Sequence, residues 1–194
     1  MRKATVTRKT RETDITTSVV IDGSGIHRNR TGIGFLDHML DLLARHGNFN
    51  ISVRCKGDLK VDEHHSVEDV AITLGKAFDQ ALRDRSGISR YGNALVPMDE
   101  ALARCVVDLG GRSYLVYKAE FRRSKVGDLP TEMVKHFFSS FTSNVKANIH
   151  LEILYGSNTH HCIEALFKSF ARALSEACRR DLKIKGVLST KGRL

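Results

Sequence analysis

Tryptophan is absent from this sequence, and proline occurs only twice in 194 residues, so a stiff proline-rich linker has no material to form from. Cysteine occurs four times, as Cys55, Cys105, Cys162 and Cys178, far apart and with no C-x-x-C pair. That spacing excludes a zinc ribbon and a disulfide framework and points to a reducing, cytoplasmic setting. No run of 18 apolar residues occurs, and the opening stretch MRKATVTRKTRETDITT has no apolar core. Neither a membrane span nor a secretory signal is expected. The basic arm at residues 2–11 resembles a targeting sequence in charge alone and reads more simply as a solvated first strand. Long blocks of like charge are missing too, with short basic runs at Arg122-Arg123 and Arg179-Arg180. The aromatic residues do not interleave with the basic ones, as a stacking platform for single-stranded nucleic acid requires.

What is present is positive charge and histidine. Lys and Arg number 31 against 22 Asp and Glu, a formal net charge of +9, and there are nine His. Such an excess implies either a polyanionic partner or a small anionic substrate. With 27% charged and 41% hydrophobic residues the chain reads as a globular protein, long enough to bury about 70% of its unfolded surface without staples.

The chain contains one unusual constellation twice. DEHHSVED places His64, His65 and Glu68, and NTHHCIEA places His160, His161 and Glu164, 96 positions later in every case. FLDHML and MVKHFF set His38 and His136 at a shift of 98, and Asn50-Ile51 recurs as Asn148-Ile149. The apolar spacing predicts helices over 35–45, 67–82, 133–145 and 163–178, with strands at ISVRC and IHLEILY. ALARCVVDLGGRSYLVYKAEF reads as one or two strands turned at Gly110-Gly111. Two half-domains of one plan follow, an α+β fold with helices on one face of each sheet, repeated over about 1–95 and 96–194.

On a helix, Glu68 shares a face with His64 at i,i+4 and with His65 at i,i+3. The adjacent histidines diverge by about 100° around the axis, so they serve two different sites. Six imidazoles and two carboxylates suffice for two sites of three His and one Glu, leaving positions open in an octahedral shell as a catalytic metal needs. A lone His on a helix is more often an ordinary core or capping residue, and His27, His46 and His150, which have no matched partner, are read that way. Two copies in register weigh heavily toward metal binding. Spacing does not name the metal, because imidazole-rich sites take Zn, Fe, Ni or Co as readily.

FLDHML, DEHHSVEDVAI, MDEAL, HHCIEALFKSFARAL and the terminal STKG closely resemble, in order and over the whole chain, the imidazoleglycerol-phosphate dehydratase family. The resemblance implies a ribosomal-protein-S5-domain-2-like pair of βα repeats and conversion of D-erythro-imidazole-glycerol phosphate to imidazole-acetol phosphate in histidine biosynthesis. It implies two Mn2+ per chain and a 24-subunit shell built from trimers, with active sites between subunits. Carried over, one ion takes His64, His136, His160 and Glu164, and the other His38, His65, Glu68 and His161. The substrate phosphate falls to Arg90, Arg112, Lys168, Ser189, Thr190 and Lys191, residue types suited to a dianion. Glu12 in TRETD is expected as general acid/base, with Glu68, Glu164 and Lys168 in the catalytic set and Asp99 and Glu100 near it. The mechanism this implies holds the substrate ring as an imidazolate bridged between two metal ions, which act as Lewis acids and as a template. Leu42 departs from the family, which carries Gln there in many relatives. The phosphatase domain fused in some bacterial relatives is absent, so dehydratase activity alone is expected. Two rival readings are a basic nucleic-acid-binding domain and a metallohydrolase acting on phosphoesters, which would release the phosphate.

Overall fold

The computed structural model describes residues 1–192. The first half runs β1 (Lys3–Lys9), β2 (Thr13–Val20), β3 (His27–Arg30), α1 (Gly34–Gly47), β4 (Asn50–Gly57) and α2 (His64–Leu82). The second runs β5 (Tyr91–Met98), β6 (Ala101–Asp108), β7 (Tyr114–Lys118), α3 (Glu132–Val145), β10 (Asn148–Tyr155) and α4 (Thr159–Cys178), with a short hairpin, β8 (Lys125–Val126) and β9 (Leu129–Pro130), inserted before α3. The sheets repeat the plan, β1-β2-β4-β3 and β5-β6-β10-β7, each antiparallel except for a parallel pairing at its last edge. The α+β expectation with helices on one face of each sheet is met, and every helix expected from periodicity is present. The basic arm is strand β1, although Arg2 just ahead of it is buried and ion-paired to Asp22 rather than solvated. Gly110-Gly111 does turn the chain between two strands, but β10 lies between them, so they form no hairpin.

Alternation along the strands sends Val6, Ile15, Val19, Ile51 and Val53 inward from the first sheet and Ala103, Cys105, Val107, Ile149 and Leu151 inward from the second. The helices fill the space between with aromatic rings. Phe138 packs against Phe167 at 4.9 Å between centroids, and Phe78 meets Phe141 edge-on at 5.7 Å. Full burial of one such side chain is worth about 1.5–3 kcal/mol. The layering pairs α1 with α4 and α2 with α3. At the second contact a Cβ on Gly75 would lie 2.7 Å from the Phe141 carbonyl oxygen, so glycine there lets the two helices approach. Arg85, between the halves, donates to the carbonyls of Leu109, Val145 and Lys146 and pairs with Asp79 at 2.7 Å. It thereby caps the C-terminal end of α3 and locks the linker. The four cysteines are free, and burial pushes the Cys178 thiol up to about 12.

Candidate metal centre and substrate cleft

Both His-His pairs sit at helix starts where the side chain two residues before the first histidine accepts from its N–H. The Asp62 carboxylate accepts from the His64 N–H at 2.8 Å, and the Asn158 side chain accepts from the His160 N–H at 2.9 Å. Asp and Asn suit this position because a short side-chain oxygen satisfies an N–H that has no partner within the helix. The first histidine of each pair then turns toward a helix of the other half.

One cluster gathers His38 of α1 with His160 and Glu164 of α4. Glu164 Oε2 lies 3.3 Å from His38 Nε2 and 3.1 Å from His160 Nε2, while its Oε1 holds Lys168 Nζ at 2.6 Å. Burial alone raises the Glu164 carboxyl, but Lys168 and the two imidazoles outweigh it and hold the group below the usual carboxylate range. Phe35 sets its ring edge-on to His160 at 5.0 Å. The β8–β9 turn closes one side and borders, with His38 and His160, a hollow of about 520 Å³. In that turn Asp128 accepts from the N–H groups of Gly34 and Phe35 at 2.6 and 3.0 Å. It caps α1 in place of Ile33, which has no side-chain oxygen to offer.

The other cluster gathers His64 and Glu68 of α2 with His136 of α3. His136 Nε2 is 3.1 Å from Glu68 Oε1, and the His64 and His136 rings lie 4.5 Å apart. In each cluster all three ligand atoms lie within 4.8 Å of one another. Two imidazoles and a carboxylate at this spacing fit a divalent transition ion and leave coordination positions over. Within one chain the expected pairs His64 with His136 and His160 with Glu164 fall together, while the full expected sets draw on more than one subunit. His38 joins His160 and Glu164, and Glu68 joins His64 and His136, because α1 packs on α4 and α2 on α3.

His65 and His161 belong to neither cluster. His65 Nδ1 meets Asp58 at 3.0 Å, and His161 Nδ1 meets Glu100 at 2.7 Å. These bonds raise both imidazoles above their ordinary pKa and, with the Asn158 N–H, lower the Glu100 carboxyl to about 2. A carboxylate on Nδ1 fixes the ring orientation and turns Nε2 outward. Each Nε2 then faces the turn of the first hairpin of its half. Glu12 Oε1 stands 3.8 Å from His65 and Asp99 Oδ2 stands 3.6 Å from His161. The Glu12 turn is shaped by the Thr10 hydroxyl, which accepts from the N–H groups of Glu12 and Thr13 at 3.0 Å. Thr13 and Arg8 tie the hairpin to buried Asp69, the neighbour of Glu68.

Arg90, Arg112, Ser189, Thr190 and Lys191 line one cleft of about 960 Å³, together with Lys183 and Lys185. Arg90 adopts φ 67°, and its guanidinium binds Asp108 at 2.7 Å and the Leu188 carbonyl at 2.7 Å. Lys168 is not in this cleft; it lies on Glu164. The Arg90 N–H donates to the carbonyl of Ala177, thirteen residues along α4 from Glu164, a separation of about 20 Å at the helical rise. Leu42 packs against the core and makes no polar contact. Sequence reasoning missed Asp58 and Asp128, whose partners are set by tertiary packing.

A family model described as imidazoleglycerol-phosphate dehydratase matches residues 31–174. The imidazoleglycerol-phosphate dehydratase of Chlorobium phaeobacteroides is 57% identical over 100% of this chain and 96% of its own length. That of Acetivibrio thermocellus is 55% identical over 100% of this chain and 99% of its own. The crystal structure of the Staphylococcus aureus enzyme superposes with a TM-score of 0.84 at 36% identity, covering 92% of this chain and 99% of that one. Three ligands per cluster, the duplicated plan and matches over the whole length agree, and the chain belongs to the imidazoleglycerol-phosphate dehydratase family, hydro-lyases that convert imidazole-glycerol phosphate to imidazole-acetol phosphate in histidine biosynthesis.

Proposed function

We propose that a complete active site forms where copies of this chain meet, with two manganese ions per chain, one at each cluster. The observation that carries this reading is the position of His65 and His161. Each cluster holds two His and one Glu, and each half turns one oriented imidazole away from its own cluster. Donated to a neighbouring copy, these two imidazoles complete two sets of three His and one Glu. The separation of about 20 Å along α4 between Glu164 and the Arg90 cleft points the same way, since it far exceeds a three-carbon phosphate ester. A substrate that reaches both features bridges two copies. The assembly proposed is a cytoplasmic shell of 24 chains built from trimers.

Divalent ions held by the His38–His160–Glu164 and His64–Glu68–His136 clusters would supply Lewis acidity to the substrate. The chain's own residues do the rest. The arginines of the cleft, with Ser189, Thr190 and Lys191, grip the phosphate and set the register of the three-carbon arm. Lys168 keeps Glu164 ionised and has N–H donors left for a substrate oxygen. Glu12, exposed at the rim beside His65, takes the proton from the second carbon of the arm as hydroxide departs from the carbon next to the ring, and returns a proton to that ring-adjacent carbon as the enol becomes the ketone. Hydroxide leaves as water, and the phosphate stays in the product, which separates this reading from phosphoester hydrolysis.

Complementation tests the shared site. His65→Ala and Arg112→Ala are each expected to be inactive, and mixing the two under conditions that exchange subunits is expected to restore activity, because some sites then receive both intact parts. A mixture as inactive as its parents rules out sharing. Elemental analysis of the native protein should find two manganese ions per chain.

A further inference from the structure

The outer faces of the two sheets share one grid but not one charge pattern. In the second sheet a row across the strands reads Leu95, Arg104, Glu152, Lys118, so a carboxylate sits between two cations. Arg104 and Glu152 form an ion pair at 2.5 Å. The matching row of the first sheet reads Thr7, Thr16, Arg54, Arg30. Arg54 occupies the place of Glu152, 98 positions earlier, and stands directly opposite Arg30. Like charges directly opposed across strands destabilise a sheet. Arg28, two residues before Arg30 on β3, adds a third guanidinium. Among the described residues none of these three has a carboxylate partner. The ion pair this face does hold, Lys9 with Asp14 at 3.7 Å, is loose and lies in another row. The three arginines border a shallow hollow of about 260 Å³ that Thr16, Ser18 and Ser52 also line, with the Ser52 hydroxyl donating to the Arg28 carbonyl at 3.3 Å and the Ser18 hydroxyl bonded to that of Thr5 at 2.9 Å.

We propose that this hollow binds a phosphate-class oxyanion, which brings from solution the negative charge that the second sheet carries in Glu152. Guanidinium forks bind such oxygens in pairs, and serine and threonine hydroxyls add single donors. With no aromatic or large apolar surface beside it, the hollow recognises the phosphoryl group itself, whether free phosphate or the end group of a small phosphoester. It lies on the other sheet from the Arg90 cleft and shares no residue with it.

Calorimetric titration of the assembled protein with inorganic phosphate, at an ionic strength fixed with chloride, tests this site. Two phosphates per chain are expected, one lost in Arg54→Glu and the other in Arg112→Ala. Arg54→Glu reproduces the self-neutralised row of the second sheet, so its melting temperature should rise in phosphate-free buffer and lose most of its phosphate dependence. Its kcat and KM for dehydration should stay unchanged. The double variant Arg28→Ala/Arg30→Ala introduces no new charge and should lose the same phosphate. Unchanged phosphate stoichiometry in both Arg54→Glu and the double variant overturns the site, as does loss of all phosphate binding in Arg112→Ala alone. A repeat with glycerol phosphate separates the sources; equal affinity assigns a phosphoester end group, weaker affinity assigns free phosphate, and both uphold the site.

Discussion

The two candidate metal clusters have the same donor types, two His and one Glu each, yet their carboxylates live differently. Glu164 is 8% exposed, with one oxygen on Lys168 and the other on two imidazoles. Glu68 is 38% exposed and is held by His136, and the position equivalent to Lys168 is Ile72. Glu164 is thus a fixed oxygen donor whose second oxygen is already taken. Glu68 keeps an oxygen free to bind, release or rotate. The two halves share these residue types, and the second half alone carries a cation beside its carboxylate.

The harshest test of that difference is Glu164→Gln. Removing the charge from the tighter cluster should cut kcat by at least about 100-fold, beyond the 10–100-fold typical of supporting residues, and lower the metal content to one ion per chain. It should also weaken the large assembly, read by light scattering. Full activity with two ions bound would break the ligand assignment. Next in size, Lys168→Met leaves the buried Glu164 carboxylate without its lysine cation, held by the two imidazoles alone. The metal-free protein should lose about 3 kcal/mol in denaturant unfolding, and added manganese should recover most of it. The converse change, Ile72→Lys, gives Glu68 the partner that Glu164 has. It should shift manganese affinity at that cluster alone by roughly 10-fold, and titration would show the affinities of the two clusters drawn closer together. The mildest is Asp128→Ala, which uncaps α1 and should cost about 1 kcal/mol. Hydrogen exchange at Gly34 and Phe35 should speed up while the His64 cluster stays as it was.

Repetition made much of this molecule legible in advance. The matched His and Glu marked all six residues of the two clusters, and the apolar spacing located the four helices. Adjacent imidazoles do diverge, although His65 and His161 lie in neither cluster rather than in a second one. What spacing does not contain is which helix packs on which, and the composition of each cluster depends on that. Lys168 is a different case, since its charge suits a phosphate while its i,i+4 spacing from Glu164, legible in the sequence, delivers it to that carboxylate. The carboxylates that orient the outward histidines come from unrelated places in the chain, Asp58 seven residues from His65 and Glu100 61 residues from His161. No shared spacing betrays that common role. The β8–β9 hairpin has no counterpart in the first half, so a search by self-similarity passes over Asp128.

The pairing of α1 with α4 and of α2 with α3 is a single contact made twice, the first helix of one half against the second helix of the other. A half-length ancestor therefore had no means of gathering two imidazoles and a carboxylate by itself. It needed a twin, and a symmetric pair of such chains would have held two identical ions. Joining the twins end to end removed the requirement that the two sites stay alike, and Lys168 opposite Ile72 records that release.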